Sequence, residues 1–161
     1  WSTVLTYDPK KLASAPQGWA DFWDVKKYPG KRGLRRGAKF TLEFALLADG
    51  VAKEDVYTLL GTEEGVQRAF RKLDQIKPDI QWWESGAQPL QWLAAGDVVM
   101  TSAYNGRVTS AQAEGQSFEM QWNGSLYDLD HWAIVKGSPK KALAENFIAF
   151  ASAPVQQKHF V

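Results

Sequence analysis

Hydrophobic and polar positions change period repeatedly along this chain. STVLTYD, rich in β-branched and aromatic residues, predicts a strand over residues 2–7. GWADFWDV places Trp19, Phe22 and Trp23 at helical spacing, as candidate core. KFTLEFALLADG repeats that spacing with Phe40, Phe44 and Leu47, and Gly50 is placed to end the helix. KEDVYTLLG and TEEGVQRAFRKLDQIKP predict two more helices. In the second, Thr62 is the expected N-cap, and Val66, Ala69, Phe70, Leu73 and Ile76 form one apolar stripe.

The second half continues the alternation. IQWW predicts a short strand, AQPLQWLAAG a helix ending at Gly96, DVVMTSA a buried strand and NGRVTSAQAEG a helix. FEMQW and HWAIV are expected as further strands. Ser138 and Pro139 are expected to cap and start the helix KKALAENFIAFAS, proline being favoured at the first helical position, and Ser152 to cap a last short helix. Strands alternating with helices define an α/β fold with a mixed sheet flanked by helices, in one domain over residues 1–161. There is no internal repeat and no low-complexity tract.

Composition narrows the functions. The 161 residues carry a net charge of +1, which gives no electrostatic case for a nucleic acid or an anionic membrane as partner. KKYPGKRGLRRG is the one basic cluster. It reads as a loop with room for one short strand; its glycines do not lead from a strand into a helix as a phosphate cradle requires, so most of its cations are expected on a solvated face. No apolar run is long enough to span a bilayer, and no signal peptide is visible. With zero cysteines there is neither a disulfide framework nor a thiolate metal site. The chain opens on Trp1 straight into a strand, which reads as an excised piece of a longer protein or as a processed terminus.

Catalytic motifs are missing. His131 and His159 lie far apart without metal-ligand spacing, so no metal site is expected. Asp130 and His131 are neighbours that a strand would point to opposite faces, which precludes a base–orienter pair. G-x-S-x-G, Walker A and G-x-G-x-x-G patterns do not occur. Neither an enzymatic activity nor a cofactor is expected.

Two segments carry binding chemistry. In VVMTSAYNGRVTSA, Tyr104 and Arg107 stand where a buried strand passes into a helix. Ligands of open α/β sheets collect at such strand ends, and a helix N-terminus favours an anion. A cation in that first turn weakens the helix unless it has an anionic partner, either a ligand carboxylate or an internal acid such as Asp128 or Asp130. In LYDLDHWAI, an extended backbone would put Asp128, Asp130 and Trp132 on one side. That pair is either hydrated or an anionic pocket for an amine. Together these subsites suit a short zwitterion.

At these residues the sequence resembles the substrate-binding proteins of ABC transporters for spermidine, putrescine and γ-aminobutyrate (GABA). The resemblance is carried by GWADFWDVKKYPGKRGL, AAGDVVMTSAYNGR, YDLDHWAIVKGSPKKALAENFIAF and SAPVQQ, and spans nearly the whole chain. It implies one lobe of a two-lobed, type II periplasmic binding protein, lacking most of the N-terminal lobe, with a cognate permease as partner and a periplasmic location. By the same resemblance Tyr104 matches an aromatic, usually tryptophan, that stacks on the ligand's alkyl chain, and Asp130 matches an aspartate that pairs with an ammonium. Asp128 stands where a further aromatic is usual. Lys39 and Leu42 stand where polyamine binders carry acids, with Glu43 one step away. Fewer acids and the added Arg107 point toward GABA or a related ω-amino acid, with a polyamine as the alternative. A sugar-binding or glycoside-cleaving domain, and a protein-interaction domain with exposed tryptophans, are the other classes open to so tryptophan-rich a chain.

Overall fold

The computed structural model describes residues 1–158, so His159 lies outside the described residues. The chain divides into two compact units, one from Trp1 to Tyr127 and one beginning at Asp128.

The first unit is built on a five-stranded mixed sheet. Its strands are β1 (Ser2–Tyr7), β2 (Arg32–Arg35), β3 (Ile80–Trp83), β4 (Met100–Tyr104) and β5 (Glu119–Tyr127), in the order β3-β2-β4-β1-β5. β2 runs parallel to both β3 and β4, whereas β1 is antiparallel to β4 and β5. The carboxyl ends of β2, β3 and β4 therefore meet the start of β1 along one edge, with Thr3 in register with Tyr104. In open α/β sheets this edge collects ligands, because helix N-termini and loops converge there.

Helices cover both faces. Those on one side are α1 (Trp19–Trp23), α2 (Thr41–Ala48), α3 (Val56–Leu60) and α4 (Glu63–Ile76). They pack Trp19, Phe22, Phe44, Leu46, Ala69, Leu73 and Ile76 against Leu5, Leu34 and Met100. On the other side α5 (Gln88–Ala95) and α6 (Asn105–Ala113) close a smaller core of Leu93, Val98, Ala103, Val108 and Phe118. Met100 and Ala103 fall in different cores because alternate residues of a strand face opposite sides. Thr62 caps α4 as its sequence predicts, its side chain accepting from the Gly65 N–H at 3.1 Å, and Gly96 ends α5 in the left-handed conformation.

Several expectations are corrected. Phe70 is not part of the buried stripe of α4; it is exposed, whereas Ala69, Leu73 and Ile76 are buried. Arg32 does not belong to a solvated basic face. It is fully buried, and its guanidinium donates to the carbonyls of Phe22 (2.9 Å), Asp24 (3.1 Å) and Gly30. Three backbone acceptors replace its lost hydration, which is what makes burial of the charge tolerable, and burial lowers its pKa.

The second unit contains α7 (Lys141–Ala151) and α8 (Pro154–Gln157). HWAIV is not a strand: the backbone from Asp128 to Val135 is irregular. Ser138 and Pro139 precede α7 rather than starting it, and Pro154, not a Ser152 cap, opens α8. Neither helix has a buried residue; Leu143, Phe147 and Phe150 form an exposed stripe at helical spacing along α7.

Candidate binding site

Tyr104 and Arg107 are brought together by the passage from β4 to α6. Tyr104 ends the strand with extended backbone and serves as N-cap of α6 without a side-chain hydrogen bond. Asn105 does not cap the helix either, because its Oδ1 accepts from the Ser2 N–H at 2.7 Å and ties the start of β1 to this edge. At Gly106 a Cβ would meet nothing within 4 Å, so the first turn of α6 opens onto free space. Arg107 projects from that turn, exposed, and makes no ion pair or hydrogen bond within the unit. Positive end of the helix dipole and guanidinium lie side by side, an arrangement suited to a carboxylate.

An aromatic wall stands beside them. Tyr104 meets Trp83 edge-on, with ring centroids 5.5 Å apart, and meets Trp1 edge-on at 4.8 Å. Trp83 is itself fully buried, its indole N–H donating to Ser102 Oγ at 3.1 Å, so it backs the wall rather than lining a cleft. Trp1 continues to Phe40 at 5.7 Å. Phe40 is the only non-glycine residue with a left-handed backbone among the described residues, at φ 69, and forms the N-cap of α2. Such strain persists only where neighbours hold it. Here the Thr41 hydroxyl donates to the Arg35 carbonyl at 2.8 Å, and the Glu43 carboxylate accepts from the Phe40 N–H.

Arg36 pairs with Glu84 at 2.7 Å, Lys39 lies against the Trp1 and Phe40 rings, and Arg107 adds an exposed positive charge. Glu43 is buried, and its pKa is pushed up by that burial, against the pull of backbone N–H groups, the Tyr57 hydroxyl and Lys39. Gly86, after β3, is the contact that fixes the site's shape: a Cβ there would come within 2.8 Å of the Tyr104 ring and 3.0 Å of Arg107 Nε.

Asp128 and Asp130 belong to the second unit. Asp128 is half-buried and accepts from the Leu129 N–H at 3.0 Å. Asp130 is exposed and lines a hollow of about 510 Å³ with His131, Trp132, Phe147 and Phe150. Trp132 and Phe147 meet edge-on at 5.5 Å. A carboxylate at the rim of an aromatic hollow is chemistry suited to an ammonium group. A hollow of about 650 Å³ in the first unit lies along the middle of β5 beside Trp19 and Asn123, away from the strand ends. Among the described residues no group of three or more potential ligands is placed to hold a metal.

Trp1, Phe40 and Gly86 were not marked by the sequence as site residues. Trp1 joins the wall because β1 runs antiparallel to β4, and Gly86 because the parallel β3 ends on the same edge. Both placements depend on strand order.

Fold and edge define a class, an α/β domain with a mixed sheet whose strand ends form a candidate binding edge. The chain belongs to the bacterial extracellular solute-binding protein family, which matches residues 1–161. It is 68% identical over 160 residues to the γ-aminobutyric acid-binding protein of Pseudomonas aeruginosa, covering 99% of this chain and 46% of that protein. A GABA receptor of known structure is 36% identical at a TM-score of 0.83, over 95% of this chain and 47% of that one. An ABC transporter protein of Rhodopseudomonas palustris is 37% identical at 0.80, over 92% of this chain and 44% of that one. The chain spans about half the length of these relatives. None of its described helices is long and apolar enough to cross a membrane.

Proposed function

We propose that this chain is one lobe of the periplasmic receptor of an ABC importer in a Gram-negative bacterium, and that its solute is GABA or a related ω-amino acid. The observation that carries this reading is the exposed Arg107 guanidinium beside Tyr104 at the open first turn of α6. A carboxylate would fork onto Arg107 and the free helix N–H groups. The methylenes would lie on Tyr104, and in the second unit, taken by itself, Asp130 and Asp128 are the acids suited to an ammonium group. The names of the two GABA-binding relatives support the same solute. The apolar stripe of α7 and the relatives' greater length support a second lobe, which would complete the cleft and exclude water on closure. The receptor binds and hands its solute to a cognate permease without transforming it.

A diamine would need an acid at the Tyr104 edge, where the Glu84 carboxylate is already paired with Arg36 and that of Glu43 is buried. The test is titration calorimetry of GABA and putrescine into the full-length protein, its Arg107→Met variant and its Asp130→Asn variant. GABA is expected to bind, each substitution weakening it at least about tenfold, or ~1.4 kcal/mol. Putrescine binding that Arg107→Met leaves untouched would replace this reading with polyamine transport.

A further inference from the structure

β1 and β4 run antiparallel with Thr3 opposite Tyr104 and Val4 opposite Ala103, so the next position of the ladder sets Ser2 opposite residue 105. The chain has left the strand by then, since Asn105 is the first residue of α6. Its backbone carbonyl is turned along the helix, where it accepts from the Thr109 hydroxyl at 3.1 Å. A Ser2 N–H facing β4 therefore has no strand carbonyl to meet. The Asn105 side chain replaces it: Oδ1 accepts from the Ser2 N–H at 2.7 Å and extends the ladder one residue beyond the end of β4. Trp1 comes immediately before that anchored amide. It is exposed, yet its ring stands edge-on to Tyr104 at 4.8 Å and to Phe40 at 5.7 Å.

We infer that Asn105 is a positioning residue for solute binding, which fixes the Trp1 end of the aromatic wall to the first turn of α6 by standing in for a strand partner. The inference rests on reading this edge as the solute site. Asn105 acts through Trp1 and without touching the solute. It begins the helix that presents Arg107 and directly follows Tyr104, so the anchor joins wall and helix terminus in one piece. An exposed tryptophan at a strand end without that anchor would have to be ordered when the solute arrives, and ordering it then costs affinity.

The test is a double-mutant cycle in the full-length protein. GABA is titrated by calorimetry into the native protein, Asn105→Ala, Trp1→Leu and the double variant, with thermal unfolding recorded for each. Asn105→Ser, a residue suited to a helix start, takes the place of the alanine variant if that one does not fold. Asn105→Ala is expected to weaken GABA about tenfold in the native background and less than about twofold in the Trp1→Leu background, because the two residues act as a unit. Amide exchange at Ser2, followed by NMR, is a second readout: slow in the native protein, slower with GABA, and fast in Asn105→Ala with or without it. Where Trp1→Leu itself abolishes binding, the exchange comparison decides. Equal weakening in both backgrounds, or a Ser2 amide that exchanges as fast in the native protein as in the variant, would overturn the inference and leave the receptor reading intact. A folded native protein that binds no GABA would overturn both.

Discussion

Gly86 shows how much a single methyl group matters at this site. Its backbone is not in the left-handed region, so alanine brings no conformational strain, yet the new Cβ would stand 2.8 Å from the Tyr104 ring and 3.0 Å from Arg107 Nε. Both obstacles are side chains that can move, so Gly86→Ala is expected to leave the melting temperature nearly unchanged and to lower solute affinity about tenfold, ~1.4 kcal/mol. Calorimetry alongside thermal unfolding checks it. Glu43 makes a second prediction at this scale. Burial raises its folded pKa above the ordinary 4.5, so its contribution to stability is present below that value and is lost as pH rises through the raised one. Glu43→Gln keeps an acceptor for the Phe40 N–H but removes this ionisation. Urea midpoints are expected to move in the variant's favour between pH 4 and pH 7, and a constant difference would contradict the assignment. Neither effect was legible in the sequence, where Gly86 is one glycine in a turn and Glu43 one acid in a helix.

At the level of elements, the pattern of apolar positions located most helices because an amphipathic stripe is a local property. α4 is the clearest case, with Thr62, Ala69, Leu73 and Ile76 doing what their spacing predicts. Its Gly65 was silent in the sequence. A Cβ there would fall 2.0 Å from the Leu59 carbonyl oxygen, so the α3–α4 corner closes only around glycine. Because that obstacle is backbone, Gly65→Ala is expected to destabilise the protein by about 1–3 kcal/mol, the usual cost of overpacking. Chemical denaturation measures it directly. The misread elements share a cause. Phe70 fits the stripe of α4 by spacing but is exposed, and HWAIV has the composition of a strand without a neighbouring strand to pair with. Burial and ladder pairing are supplied by other elements, not by the segment itself.

For the molecule as a whole, the sheet order β3-β2-β4-β1-β5 turns scattered segments into one edge. It places Trp1, Phe40, Gly86, Tyr104 and Arg107 together although they span the length of the first unit. Sequence alone determined the alternation of strands and helices, the N-cap of α4, the strand-to-helix passage at Tyr104 and Arg107, and the resemblance that led to the family. Each of these depends on residues close in the chain, or on motifs read intact. Tertiary structure alone decided that Arg32 is buried against three carbonyls, that Trp83 backs the wall while Trp1 and Phe40 extend it, and that Lys39 faces those rings. These facts depend on which strand lies beside which, and strand pairing joins residues whose separation along the chain carries no local signal.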